Sequence, residues 1–216
     1  MGNIWYQFMK HYIKFALFFY YKKIKFVGKD NIPKKGAIMF VSNHPNALID
    51  PLLIKTNTYK NLYVLTRAGA FVNKFVIVLF ESVKMIPIYR KRDGYNSITK
   101  NDAIFDKCYD ILNDEEAILI FAEGSHSLLR KVRPITKGFA RIIYGAFEKY
   151  PELDVQIVPI GINYKSPMKY PDSVEIHFGK PITAKKYYNN DDILLSIESL
   201  KETVQNSLTE LVSHID

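Results

Sequence analysis

Short apolar runs and amphipathic stretches take turns along this chain, and that alternation limits the fold more than any other feature. The runs Ile24–Val27, Ala37–Val41, Leu62–Thr66, Lys84–Tyr89, Ile118–Phe121, Gln156–Gly161 and Val174–Phe178 have strand length. Between or after them lie Pro51–Lys55, Ala70–Ser82, Tyr95–Asn113, Lys137–Lys149 and Asp191–His214, with helical spacing or length. A largely β-α-β-α order predicts an α/β fold: a mostly parallel central sheet of about seven strands with helices on both faces. At 216 residues and 48% apolar content, the chain suits one domain with a packed core. Asn113–Glu116 and Pro167–Asp172 read as polar turns, and no linker is long enough to divide the chain.

The first residues break from this pattern. Over 3–21 the polar positions Asn3, Gln7, Lys10, His11 and Lys14 form one narrow helical stripe. The rest of the surface is apolar and largely aromatic, and Lys22, Lys23 and Lys25 follow at once. This predicts an amphipathic membrane-interface helix over 1–23, ahead of a single domain over 24–216, with residues 3–25 meeting the membrane surface. A terminal helix packed on the core is the alternative. Phe71–Phe80 reads as a core helix that could also extend the membrane face. No apolar run approaches the ~20 residues a bilayer span requires, and no cleavage site follows Phe15–Tyr21. A net charge of +8 favours an anionic partner. The basic residues are dispersed and carry no recognition motif, so a nucleic-acid partner is not expected. The single Cys108 excludes an internal disulfide and fits a reducing compartment. Together these place the chain on the cytoplasmic face of a membrane, peripheral or monotopic.

Two polar blocks follow buried strands: Ser42-Asn43-His44-Pro45-Asn46-Ala47-Leu48-Ile49-Asp50 after Ala37–Val41, and Glu123-Gly124-Ser125 after Ile118–Phe121. An α/β fold builds its site at such strand exits. Residues six apart on a continuous helix are turned by ~600°, so His44 and Asp50 meet only if the chain bends, as Pro45 and Asn46 favour. Asp50-Pro51 also reads as a plain helix start. With an ordinary pKa near ~6.5, a histidine can take a hydroxyl proton at neutral pH, and a carboxylate on its other nitrogen fixes the tautomer. No Gly-x-Ser-x-Gly elbow is present, which leaves direct attack by a substrate hydroxyl as the simplest chemistry.

Asn43-His44 through Asp50, Ile86-Pro87-Ile88-Tyr89-Arg90, Phe121-Ala122-Glu123-Gly124-Ser125 and Ile157-Val158-Pro159-Ile160 stand in the order of the four motif blocks of the glycerolipid acyltransferases. The chain resembles that family over roughly residues 24–180. Two departures are visible: five residues separate His44 from Asp50 where four are usual, and His126 stands where the third block commonly ends in Arg. The resemblance implies acyl transfer from a thioester to the free hydroxyl of 1-acyl-glycerol 3-phosphate, giving phosphatidic acid. His44 would be the general base and Asp50 its orienting group. Arg90 would hold the acceptor phosphate. Asn43, Glu123, Gly124, Ser125, Arg130 and Arg133 would line the acceptor site, with Glu123 orienting Arg90 or meeting a glycerol hydroxyl, and Gly124 letting backbone approach closely. Neither a metal nor a resident cofactor is expected, only acyl-CoA or acyl carrier protein as co-substrate. Glycerol 3-phosphate is the alternative acceptor, and a non-catalytic membrane- or lipid-binding module the alternative class.

Overall fold

The structure is a computed structural model that describes residues 2–89, 101–127, 131–166 and 169–213. Arg90, Arg130 and the first residues of the helix expected over Tyr95–Asn113 lie outside the described residues. The strands are β1 (Lys23–Val27), β2 (Ala37–Ser42), β3 (Leu62–Arg67), β4 (Met85–Ile88), β5 (Ala117–Phe121), β6 (Val155–Tyr164), β7 (Ser173–Phe178) and the short β8 (Ile182–Thr183). The helices are α1 (Gly2–Tyr20), α2 (Ile49–Lys55), α3 (Lys74–Ser82), α4 (Asn101–Asn113), α5 (Gly138–Lys149) and α6 (Ile193–Leu211). Among the described residues one sheet runs β1-β7-β6-β2-β5-β3-β4, and β8 pairs β6.

Pairing is parallel except where β6 meets β7 and β8. Only eight residues separate β6 from β7, too few for a parallel crossover, so the chain turns back antiparallel. That pairing carries β6 on to Tyr164, past the end expected at Gly161, because Ile162–Tyr164 find partners in Val174–Ile176. Pro159 sits inside β6 without cost. Its carbonyl accepts from Gly179, so its ring nitrogen faces the same edge, at the gap between β8 and β7.

β2 is buried along its whole length, and its side chains alternate between two cores. Met39 and Val41 join α4, α5 and α6 through Leu112, Phe139, Ile143, Leu200 and Val204. Ile38 and Phe40 face the other way, onto Leu17, Leu53 and Ile54 of α1 and α2. Helices therefore cover both faces of the sheet. Cys108 is buried within α4, where desolvation pushes its thiol up to about 12, so it is no nucleophile.

Two helix starts differ from expectation for local reasons. α3 begins at Lys74 because the Asn73 side chain caps it, accepting from the Val76 N–H at 3.0 Å. α2 begins two residues before Pro51 because the Asn46 side chain accepts from Leu48 and Ile49 N–H, both at 3.2 Å.

α1 has two characters at once. Tyr6 and Leu17 are buried against the body, and the Tyr6 hydroxyl accepts from the Leu62 N–H at 3.3 Å. The Lys10 ammonium, expected on the polar stripe, donates instead to the Thr58 carbonyl. Away from the core, Ile4, Phe8, Tyr12, Phe15, Phe18 and Phe19 are exposed, with Phe18 73% exposed. Val72, Phe75 and Val78, at and before α3, are exposed as well, and Trp5 Nε1 donates to Ser82 Oγ at 3.1 Å, tying the two helices together.

Candidate active site

β2, β5 and β6 lie side by side, and their carboxyl ends define the site. The two polar blocks leave β2 and β5 there and are joined by a hydrogen bond from Ser127 N–H to the His44 carbonyl, 2.9 Å. This is the placement expected of ligands in open α/β sheets.

His44 and Asp50 meet. His44 Nδ1 lies 2.9 Å from Asp50 Oδ2, with the imidazole 14% exposed and the carboxylate fully buried. The turn that joins them is built on Asn46, whose N–H donates to Asp50 Oδ2 at 2.7 Å while its side chain starts α2. Asp50 is thus inside the first turn of α2 and is not its cap. The five-residue interval accommodates the pair because Pro45-Asn46 folds the chain back before the helix begins.

A carboxylate only accepts, so Nδ1 carries the proton and donates to Asp50. Nε2 is then the basic nitrogen, and among the described residues nothing hydrogen-bonds to it. The ring stacks on Phe121, centroids 3.8 Å apart and planes 16° from parallel, so its orientation is held from its face as well as from Nδ1. His126 stands edge-on to it at 6.2 Å. Burial pushes the Asp50 carboxyl above the usual carboxylate range, opposed by donors from His44, Tyr164 and Asn46. The Tyr164 hydroxyl donates to Asp50 Oδ1 at 2.7 Å. Burial and the facing carboxylate raise that phenol far above its ordinary value, so it stays a donor.

Among the described residues expected to line the acceptor site, Glu123, Ser125 and Arg133 reach the right end of the sheet and bond to one another. Asn43 is buried, its amide donating to the Ile162 carbonyl at 3.0 Å and accepting from the Ile162 N–H at 2.8 Å. It locks β2 to β6. The expected pairing of Glu123 with Arg90 lies outside the described residues. Glu123 Oε2 accepts from Arg133 Nε at 3.1 Å and Nη2 at 2.8 Å, and Oε1 from the Arg133 N–H at 3.0 Å. Arg133 also donates to Ser125 Oγ at 2.8 Å and to the Ser125 carbonyl. Four of its five N–H donors are therefore taken. Glu123, Ser125 and Arg133 form a cross-braced wall. Gly124 takes φ +71°, and a Cβ there would meet only Thr136 at 3.9 Å. The positive φ favours glycine at this turn.

Phe121, Asn46, His126 and Tyr164 complete the site. Position after a buried strand was a signal for Phe121 and His126, and turn chemistry for Asn46. Tyr164, 114 residues from Asp50, had none.

Comparison with known proteins agrees with this geometry. The model of the Acyltransferase family matches residues 23–163, about two thirds of the chain. The chain belongs to the Acyltransferase family. The matched stretch runs from β1 to the penultimate residue of β6 and holds His44, Asp50, Glu123 and Arg133. This acyltransferase-family chain is 27% identical over 119 residues to Glycerol-3-phosphate O-acyltransferase 1 of Saccharomyces cerevisiae, covering 53% of this chain and 16% of that protein. It is 29% identical over 163 residues to a probable 1-acyl-sn-glycerol-3-phosphate acyltransferase of Mycoplasma pneumoniae, covering 72% of this chain and 56% of that one. The Mycoplasma genitalium protein of the same name is 30% identical over 158 residues, covering 70% and 56%. The chain thus spans a sixth to about half the length of these curated relatives. Among solved structures, the 1-acyl-sn-glycerophosphate (LPA) acyltransferase PlsC of Thermotoga maritima shares the fold. Its TM-score is 0.65 at 16% identity, over 95% of this chain and 79% of that one.

Proposed function

We propose that this chain moves a fatty acyl group from an acyl thioester to the free hydroxyl of 1-acyl-glycerol 3-phosphate, forming phosphatidic acid. The observation that carries the reading is His44 held at 2.9 Å by a fully buried Asp50 with Nε2 open. The acceptor hydroxyl gives its proton to Nε2 as its oxygen attacks the thioester carbonyl. Asp50 stabilises the imidazolium that forms. Collapse of the tetrahedral intermediate breaks the carbon–sulfur bond, and the imidazolium returns the proton to the departing thiolate. Arg90 is kept as the group that meets the acceptor phosphate, and Arg130 as a second cation, on the sequence pattern alone. Names of the mycoplasma relatives and of PlsC support the lysophospholipid acceptor. The yeast relative and the longer His44–Asp50 interval favour glycerol 3-phosphate as a second reading.

Purified protein offered labelled acyl-CoA or acyl carrier protein, with each acceptor in turn, decides between them. Acylation of 1-acyl-glycerol 3-phosphate in clear preference to glycerol 3-phosphate is expected. The reverse preference moves the chain one step earlier, and no thioester turnover with any acceptor removes the enzymatic reading.

The acyl products and the exposed aromatic face of α1 support a lipid surface as the chain's partner, on the cytoplasmic side. No helix among the described residues is long and apolar enough to cross a membrane. Peripheral docking through α1, extended by Phe75 and Val78 of α3 and followed by Lys22 and Lys23, suits an anionic bilayer. Trp5 is the chain's single tryptophan and is 44% exposed on this face. Its emission is expected to shift to the blue on anionic phospholipid vesicles, and the shift to vanish when Phe15, Phe18 and Phe19 are replaced by Ser. Unchanged emission and no co-sedimentation with vesicles would reject the docking face.

A further inference from the structure

The Asp50 carboxylate is fully buried, so every oxygen left without a donor would carry a desolvation cost. Oδ2 is served by His44 Nδ1 and by the Asn46 N–H, both on the same turn. Oδ1 is served from across the sheet, by the Tyr164 hydroxyl at the end of β6. A phenol has one proton, and here it points to the carboxylate. The ring of Tyr21 lies 6.2 Å from that of Tyr164. Tyr21 is buried immediately after α1, held by its N–H to the Leu17 carbonyl at 3.1 Å, while Lys22 N–H donates to the Asp172 carbonyl at 2.9 Å. A line of hydrogen bonds therefore runs His44–Asp50–Tyr164, and the Tyr21 ring at the foot of α1 stands beside its last member. Tyr21 and Tyr164 both fall just outside the stretch matched to the family, 23–163.

We infer that Tyr164 is a positioning residue for the His44–Asp50 pair and that the Tyr21 ring backs the Tyr164 ring, bringing the foot of α1 up to the active site. This rests on the reading of His44 as the base. The geometric reason is that two donors on Oδ2 fix one end of the carboxylate and leave it free to swing about that end. The bond to Oδ1 stops the swing and thereby aims Nε2. The electrostatic reason concerns charge. The active form of the pair is a carboxylate beside a neutral imidazole, with one net negative charge. Its protonated form is neutral overall, wherever the proton resides. A hydroxyl donating to Oδ1 stabilises the charged form more, so it lowers the pH at which the pair takes up its proton. Among the described residues, the other titratable groups near the pair are Tyr21 after α1 and His126 after β5, with Asp172 before β7 beyond Tyr21.

The test is the pH profile of kcat for Tyr164→Phe, Tyr21→Leu, the double variant and His44→Ala. Tyr164→Phe is expected to lose roughly tenfold in kcat at neutral pH with little change in KM. Its ascending limb should move up by about half a pH unit or more, so that activity partly recovers in alkali. Tyr21→Leu, which removes the ring beside Tyr164, should move the same limb the same way by less, and the double variant should be no worse than Tyr164→Phe alone. A residue that merely filled space would scale kcat equally at every pH. An unshifted limb in Tyr164→Phe, with His44→Ala inactive, overturns the positioning role and leaves the base intact. Full activity in folded His44→Ala overturns both. Independent, multiplying losses in the double variant overturn the part given to Tyr21. If Tyr164→Phe does not fold, the limb of Tyr21→Leu decides, and an unshifted one rejects the proposal.

Discussion

His44→Ala is expected to leave a folded protein whose acyl transfer has fallen by ~10²–10⁴-fold, the usual contribution of a positioned general base. The change removes the open Nε2 and the stacking on Phe121 but little of the architecture. The hydrogen bond that joins the two polar blocks uses the His44 backbone carbonyl, which alanine retains. Asp50 keeps its donors from Asn46 and Tyr164. The lost charge-assisted hydrogen bond costs about 1.5–3 kcal/mol, within the 5–15 kcal/mol a domain of this kind typically holds. Turnover of a labelled acyl thioester, with circular dichroism to certify the fold, makes the measurement. A folded His44→Ala protein with undiminished turnover would end the proposed mechanism. A protein that binds vesicles and thioester but never turned over before the substitution belongs to the non-catalytic class instead.

Asp50→Asn isolates the charge of the pair from its shape. The asparagine oxygen can occupy the place of Oδ2 and keep the bonds from His44 Nδ1 and Asn46 N–H. Its amide then faces the Tyr164 oxygen, which accepts once the phenol turns its proton away. The His44 and Asn46 donors remain satisfied and the ring keeps its tautomer, yet the negative charge that stabilised the imidazolium is gone. Loss of roughly 10²–10⁴-fold in kcat with near-native stability is therefore expected. Asp50→Ala differs in kind: it strips the acceptor from three donors in a fully buried place and should also lower stability, by about 1–3 kcal/mol for each donor left unpaired. Comparing the two variants by urea denaturation and by turnover separates catalysis from folding. Wild-type kcat in Asp50→Asn would show that the carboxylate's charge has no part in the reaction.

The strands were legible because burial on both faces of a parallel sheet leaves a continuous apolar run, as in Ala37–Val41 and Ala117–Phe121. Helix ends were less so, since Asn73 and Asn46 set them by side-chain bonds that composition does not reveal. His44 and Asp50 were legible as a pair because the residues between them are turn formers. The wall residues were legible by place, and the bonds they make to one another were not. Whether Arg133 faces a ligand or a glutamate depends on where a chain segment ten residues away comes to lie. α1 packs on the body through Tyr6 and Leu17, as the core-packed reading had it, while its aromatic remainder stays exposed.

Sequence alone determined the seven longer strands though not the short β8, that His44 and Asp50 leave one of them on a tight turn, and that α1 carries more aromatic surface than a domain surface normally shows. These are properties of local periodicity and short-range turn chemistry, readable without knowing the partners. The tertiary structure decided who pairs with whom: Glu123 with Arg133, Asn43 with the Ile162 backbone, Tyr164 with Asp50. The first joins two residues between β5 and α5; the other two join strands or turns that the sheet order brings together, and hydrogen bonding at that range depends on register across the sheet, which no local pattern encodes.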